Sequence, residues 1–135
     1  MTTRAANWSG IKPADVDKYW HHVAPYIARG MTGLDTLEGV KTAIEQRQAQ
    51  LWAVWEGQRC LAALVTKITD HDKGRVCTIA HCGGIELCSW REHLNVLEAW
   101  AREKGCCRID IVGRKGWERV LPGFEQTGVV LEKKL

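Results

Sequence analysis

No apolar run in this 135-residue chain approaches the roughly 20 residues that a helix needs to cross a bilayer. Met1-Thr2-Thr3-Arg4 is not followed by the apolar core of a secretory signal, so the expectation is a soluble, cytoplasmic protein with no membrane partner. Cysteine is present but never in a Cys-x-x-Cys pair, which argues against a structural zinc site. His81, Cys82, Cys88, His93 and Cys106-Cys107 invite a metal reading, but their spacing is wrong and no metal is expected. Cys60, Cys77, Cys106 and Cys107 fall inside strand patterns, where a reduced thiol packs as a small hydrophobe. The net charge of +3 comes from scattered Lys and Arg with acids between them, without the basic stripe of a nucleic-acid surface, so direct nucleic-acid binding is not expected. No internal repeat or low-complexity segment is present.

What is present fits one domain spanning residues 1–135, with nearly half of the residues apolar. Its clearest unit begins at Ser89-Trp90-Arg91-Glu92, a capping box in which the Ser hydroxyl and the Glu carboxylate satisfy each other's helix-start donors. Trp90, Leu94, Leu97 and Ala101 recur at helical spacing, and Val96 and Trp100 widen the stripe. Lys104 and Gly105 supply a cation and a left-handed stop at the helix end. Cys107 to Val112, rich in β-branched residues, predicts a strand directly after.

Upstream, Thr2 to Gly10 reads as either a short edge strand or coil. Pro13 suits the first turn of a helix whose stripe is Val16, Trp20, Val23 and Ile27, with a kink or break expected near His22 to Ala24 because Pro25 lacks an N–H. Asp35 with Glu38 reads as a capping box for a second helix ending near Gln48. Leu51 to Trp55 and Arg59 to Thr69 predict a hairpin through Glu56-Gly57-Gln58, and Arg75 to Cys82 a third strand closed by Gly83-Gly84. Arg114 to Leu121 predicts a short helix stopped by Pro122-Gly123, and Val129 to Lys133 a last strand.

This order is similar to that of the GNAT acetyltransferase superfamily. Gly123-Phe124-Glu125 followed by Gly128 to Leu135 resembles the ending of that family, and Leu51 to Leu64 its first hairpin. Gly105-Cys106, Gly113 to Trp117 and Leu121 to Gly123 look closer still to small GNAT-like proteins encoded in tailed-phage and prophage genomes. The resemblance implies an α/β (α+β) class: a mixed central sheet, two N-terminal helices, one long helix after the β-meander and a short C-terminal helix. Joined to the helix-strand unit, it also implies a sheet that splays between the Arg75 to Cys82 and Cys107 to Val112 strands.

The resemblance further implies an acetyl-CoA site whose glycine loop closes backbone N–H groups on the pyrophosphate at the start of the long helix. That loop falls on Ile85 to Trp90, where Glu86 opposes phosphate charge and Trp90 fills the space, so the cradle reads as eroded. Gly83 and Gly84 are either a displaced remnant of it or simply a turn. The Tyr that protonates the departing thiolate in that family has no counterpart: Tyr19 and Tyr26 lie in the first helix, while Trp117 and Phe124 hold the matching region and cannot donate a proton usefully. His81 and Cys82 are candidate substitutes, against the alternative that both pack in a strand. Arg114 and Lys115 could bind a phosphate or carboxylate, or else Arg114 pairs with a nearby acid while Trp117 anchors the short helix. Trp20, Trp52, Trp55 and Trp100 are read as core, and seven tryptophans in so small a domain suggest a protein interface for some. The expectation is therefore a non-catalytic assembly module without a cofactor, partnered by phage structural proteins or by itself, in the cytoplasm or a virion. The alternative is a divergent N-acetyltransferase using acetyl-CoA.

Overall fold

The computed structural model describes residues 7–31, 33–86, 94–113, 117–121 and 123–135. Among them, five strands form one mixed sheet in the order β1-β2-β3-β4-β5: β1 Asn7–Ile11, β2 Gln50–Glu56, β3 Arg59–His71, β4 Gly74–Gly84 and β5 Cys106–Ile111. The first four are antiparallel neighbours, and β5 lies parallel to β4. The helices are α1 Val16–Gly30, α2 Leu37–Glu45, α3 Asn95–Glu103 and α4 Trp117–Val120. No described helix is long and apolar enough to cross a membrane. The mixed sheet, the α+β class and the helix order agree with the sequence expectation.

Alternation along the strands divides the core between the two faces of the sheet. Leu51, Ala53, Ala63 and Val65 meet Val16, Val23 and Ile27 of α1 and Val40 and Ile44 of α2. Trp52, Val54, Leu64, Cys77, Ile79 and Cys82 meet Leu97 and Ala101 of α3. The unbroken apolar run of β3 is thus a strand buried on both sides. One polar chain inside the core is satisfied: Trp52 Nε1 donates to Thr66 Oγ1, which donates to Gln50 Oε1, both at 3.0 Å. Trp8 and Trp52 are buried, whereas Trp20, Trp55 and Trp100 are half-buried and Val96 is exposed.

The hairpin between β2 and β3 turns through Gly57 at φ 62°, and α3 stops at Gly105 with φ 83°, where a Cβ would be strained. The N-terminal arm is an edge strand rather than coil. Pro13 opens a 3₁₀ turn, Pro13–Asp15, ahead of α1.

Several expectations are corrected. Of the kink or break expected near His22 to Ala24, the break does not occur, and α1 runs through Pro25 as one helix. Pro25 and His21, whose carbonyl loses its partner N–H, both lie on the exposed side of the helix, where the carbonyl is open to solvent. The cap of α2 is Thr36, whose Oγ1 accepts from Gly39 N at 3.0 Å, and Asp35 is left for another role. Thr36→Ala is expected to cost about 1 kcal/mol in thermal unfolding, the usual loss for a hydroxyl cap. The predicted last strand is not formed: Val129, Val130 and Leu131 have no strand partner among the described residues, and Val130 is 87% exposed. The Ser89–Glu92 capping box lies outside the described residues.

The feature that shapes the rest is a β-bulge in β4. Thr66 pairs with Ile79 and Val65 with His81, so Ala80 is an extra residue on β4. A bulge strengthens local twist and ends pairing, and the β4–β5 ladder stops here, at Ile79↔Ile111. Residues 81–84 stay paired with β3 alone, and the two strands diverge.

Candidate functional site

Between the diverging ends of β4 and β5 lies a cavity of about 230 Å³. Cys82, Gly83 and Gly84 line it from β4, Ile111, Val112 and Gly113 from the end of β5, Arg29 and Gly30 from α1, and Trp117 from α4. The α1 wall is backbone against backbone. A Cβ at Gly30 would fall on the carbonyl of Cys82, and one at Gly83 on the carbonyl of Tyr26. Gly83 and Gly84 are strand residues, not a turn; Gly83 lets α1 approach the strand, and a Cβ at Gly84 would meet Ala62 and the Leu61 carbonyl of β3. That edge has no strand partner beyond Ile79 among the described residues.

Cys82 is among the residues that border this opening. Its thiol is packed in the α3-side core, and burial pushes its pKa up to about 12, so it stays protonated at neutral pH. A thiol that weakly acidic is neither a nucleophile nor an effective proton donor.

His81, one residue earlier, faces the opposite way, towards α2. Its side chain is only 4% exposed, and its Nε2 lies 3.3 Å from Asp35 Oδ2. The two are close enough for strong electrostatic interaction but misaligned, and neither ring nitrogen has a well-formed hydrogen bond among the described residues. Burial lowers the imidazole pKa; the Asp35 carboxylate opposes that shift and the Lys67 ammonium adds to it. The net direction is towards the neutral ring. His81 and Asp35 line a second, smaller pocket of about 40 Å³, floored by Val40, Ala43, Ala49 and Val65 and edged by Gly39 and Lys67.

The sequence-predicted residues thus separate across one strand: Cys82, Gly83 and Gly84 border the splay and His81 the smaller pocket beside α2. Arg114 and Lys115 lie outside the described residues, as does the loop from Leu87 to Trp90. Glu86 is described, at φ 52°, and its carboxylate sits 3.3 Å from Arg59 Nη1, which offsets the charge that counted against phosphate binding. Tyr26 donates its hydroxyl to the Cys60 carbonyl at 2.9 Å and ties α1 to β3. Neither Gly30 nor Asp35 was read from the sequence as a site residue. Asp35 and Thr36 are adjacent residues that both suit a helix cap, and since one cap suffices, the other was the signal. Among the described residues no three His, Cys, Asp or Glu side chains gather as a metal site.

No protein-family profile matches the chain, and no curated protein matches it by sequence. Solved structures do match by shape. An aminoglycoside acetyltransferase from an uncultured soil metagenomic sample, in complex with sisomicin, superposes with a TM-score of 0.72 at 10% identity over 96% of both chains. An aminoglycoside N-acetyltransferase in complex with CoA gives 0.68 at 10% identity, covering 98% of this chain and 97% of the other. A predicted acetyltransferase from Clostridium acetobutylicum, with acetyl-CoA, gives 0.64 at 15% identity over 96% of both. At such identities the likeness establishes the fold, and the fold is that of the GNAT acetyltransferases.

Proposed function

We propose that this chain, having the acetyltransferase fold, binds an acyl-CoA in the β4–β5 splay and transfers the acyl group to an amine. The observation that carries the reading is the edge of β4 beyond Ala80, without a strand partner among the described residues and facing a cavity of about 230 Å³. The pantetheine arm of CoA is an extended chain with two amides, and an extended amide chain is recognised by an unpaired strand edge through main-chain hydrogen bonds. Gly83 and Gly84 line that edge, Val112 and Gly113 form the facing wall, and Trp117 closes one side. Glu86, paired with Arg59, presents less negative charge to an incoming phosphate than its sequence position suggested. When bound, the acyl-CoA supplies an activated thioester carbonyl. With Cys82 held protonated and the two tyrosines in α1, this chain offers no strong acid to the leaving sulfur among its described residues, so the amine's own proton serves that end.

Isothermal titration with acetyl-CoA tests this. Saturable binding at micromolar concentrations is expected, and the absence of heat up to millimolar ligand would sink it.

A second reading, the non-catalytic assembly module, is favoured by one observation: the exposed apolar side chains of Val129, Val130, Leu131 and Leu135. There the chain would be a phage head or tail component, associating through that segment with a structural protein or another copy. The same titration separates the two.

A further inference from the structure

The splay cavity has a charge as well as a shape. Among the described residues that line it, Arg29 is the single charged side chain; the others are four glycines, a protonated Cys82, Ile111, Val112 and Trp117. The chain segments around the cavity, residues 26–33, 82–85 and 111–117, contain no Asp or Glu, while Arg114 and Lys115 add two more cations to their sequence. We propose that Arg29 is a specificity-determining residue that selects a carboxylate on the substrate held in the splay, so that either the transferred acyl group or the amine receiving it is anionic. This rests on the acyl-transfer reading above.

The place of the arginine is set by the close approach of α1 to β4. A Cβ at Gly83 would stand 3.4 Å from Arg29 Cβ, so the arginine stem begins beside the strand edge along which an extended ligand lies. Its guanidinium carbon is 5.4 Å from the centroid of the Tyr26 ring, and Tyr26 is itself held by its hydroxyl bond to the Cys60 carbonyl. The cation thus rests on a fixed support at the rim of the splay.

Chemistry then names the ligand. A guanidinium carries five N–H donors in a planar fork that matches the two oxygens of a carboxylate, and a contact made elsewhere still leaves donors for a ligand. An acetyl group or an alkyl amine offers that fork no anion. Beside the apolar side chains of Ile111, Val112 and Trp117 the attraction between fork and carboxylate is stronger than it would be in open water, and no acid in the surrounding segments repels the anion. Arg29 also lies in the last turn of α1, where a cation offsets the negative helix end. A lysine would perform that duty equally well, whereas only arginine supplies the fork, and this difference separates a dipole role from ligand selection.

Isothermal titration of the whole protein compares acetyl-CoA, butyryl-CoA and succinyl-CoA, the last two having acyl chains of equal length that differ in one terminal carboxylate. A second arm titrates the protein saturated with CoA with 4-aminobutyrate and with n-butylamine, which differ in the same way. The expected result is a preference of about tenfold for the carboxylate-bearing ligand in one arm, falling below roughly twofold in Arg29→Gln, with acetyl-CoA affinity unchanged. Arg29 is exposed, so the variant keeps its core, and Arg29→Lys should melt like the parent while losing most of the preference. The arm that responds identifies the source: a dicarboxylic acyl group from the thioesters, an amino-acid-like acceptor from the amines. No preference in either arm, or one that survives Arg29→Gln, would overturn the proposal and leave the transfer reading standing. Equal weakening of all three thioesters in Arg29→Gln would make Arg29 a ligand of CoA itself and overturn it too. Absence of heat from every thioester sinks the transfer reading, and this inference with it.

Discussion

Gly83→Ala is expected to lower the unfolding temperature by about 10 °C, corresponding to roughly 2–3 kcal/mol for a domain of this size. The cause is a single methyl group. Its carbon would fall on the Tyr26 carbonyl, and since that atom belongs to the backbone of α1, no rotamer change removes the clash. α1 must move off β4, and that movement loosens Val23 and Ile27, which are fully buried against the sheet. Gly128→Ala is the control, because a Cβ there meets nothing within 4 Å, and its unfolding temperature should match the parent. If both variants melted alike, the close approach of helix and strand would be wrong.

Val112→Trp is expected to weaken acetyl-CoA binding by about a hundredfold, some 2.7 kcal/mol, while leaving the unfolding temperature within a few degrees. Val112 is 58% exposed, so a larger side chain needs no core rearrangement, yet the residue forms part of the cavity wall opposite Gly83. An indole there would lie across the gap that an extended ligand must enter. Val112→Thr, of almost the same shape, should bind like the parent. A Trp variant that binds normally would place the ligand outside the splay.

The elements that were legible in the sequence are those whose cause is local. The hairpin of β2 and β3 follows from two apolar runs joined by a short connection through Gly57, and α3 from the spacing of Leu94, Leu97 and Ala101 with Gly105 beyond. What was not legible depends on partners distant in the chain. Val129 to Lys133 has the composition of a strand, but β propensity describes fit to a neighbouring strand, and no described strand lies beside it. Pro25 reads as a helix breaker until its lost hydrogen bond is seen to face solvent. The site was legible in part. His81 and Cys82 were marked together as one end of a strand, yet their sharply different surroundings depend on which face each takes. Asp35 was hidden by its aptness as a cap, a role that Thr36 fills instead.

Ala80 decides that question of faces, because a strand sorts its side chains by parity. Cys77 and Ile79 look towards α3, and an uninterrupted strand would send residue 81 the same way and residue 82 towards α2. One supernumerary alanine reverses the count: His81 is delivered opposite Val65 and within reach of Asp35, and Cys82 opposite Leu64 among the apolar residues under α3. Deleting Ala80 would leave both side chains on the faces they now have, since His81 would then follow Ile79 in plain alternation; it is straightening the bulge with Ala80 kept in the ladder that would press an imidazole into the α3-side core and offer a thiol to the carboxylate. The chemistry on offer at this end of the sheet is in that sense set by odd and even.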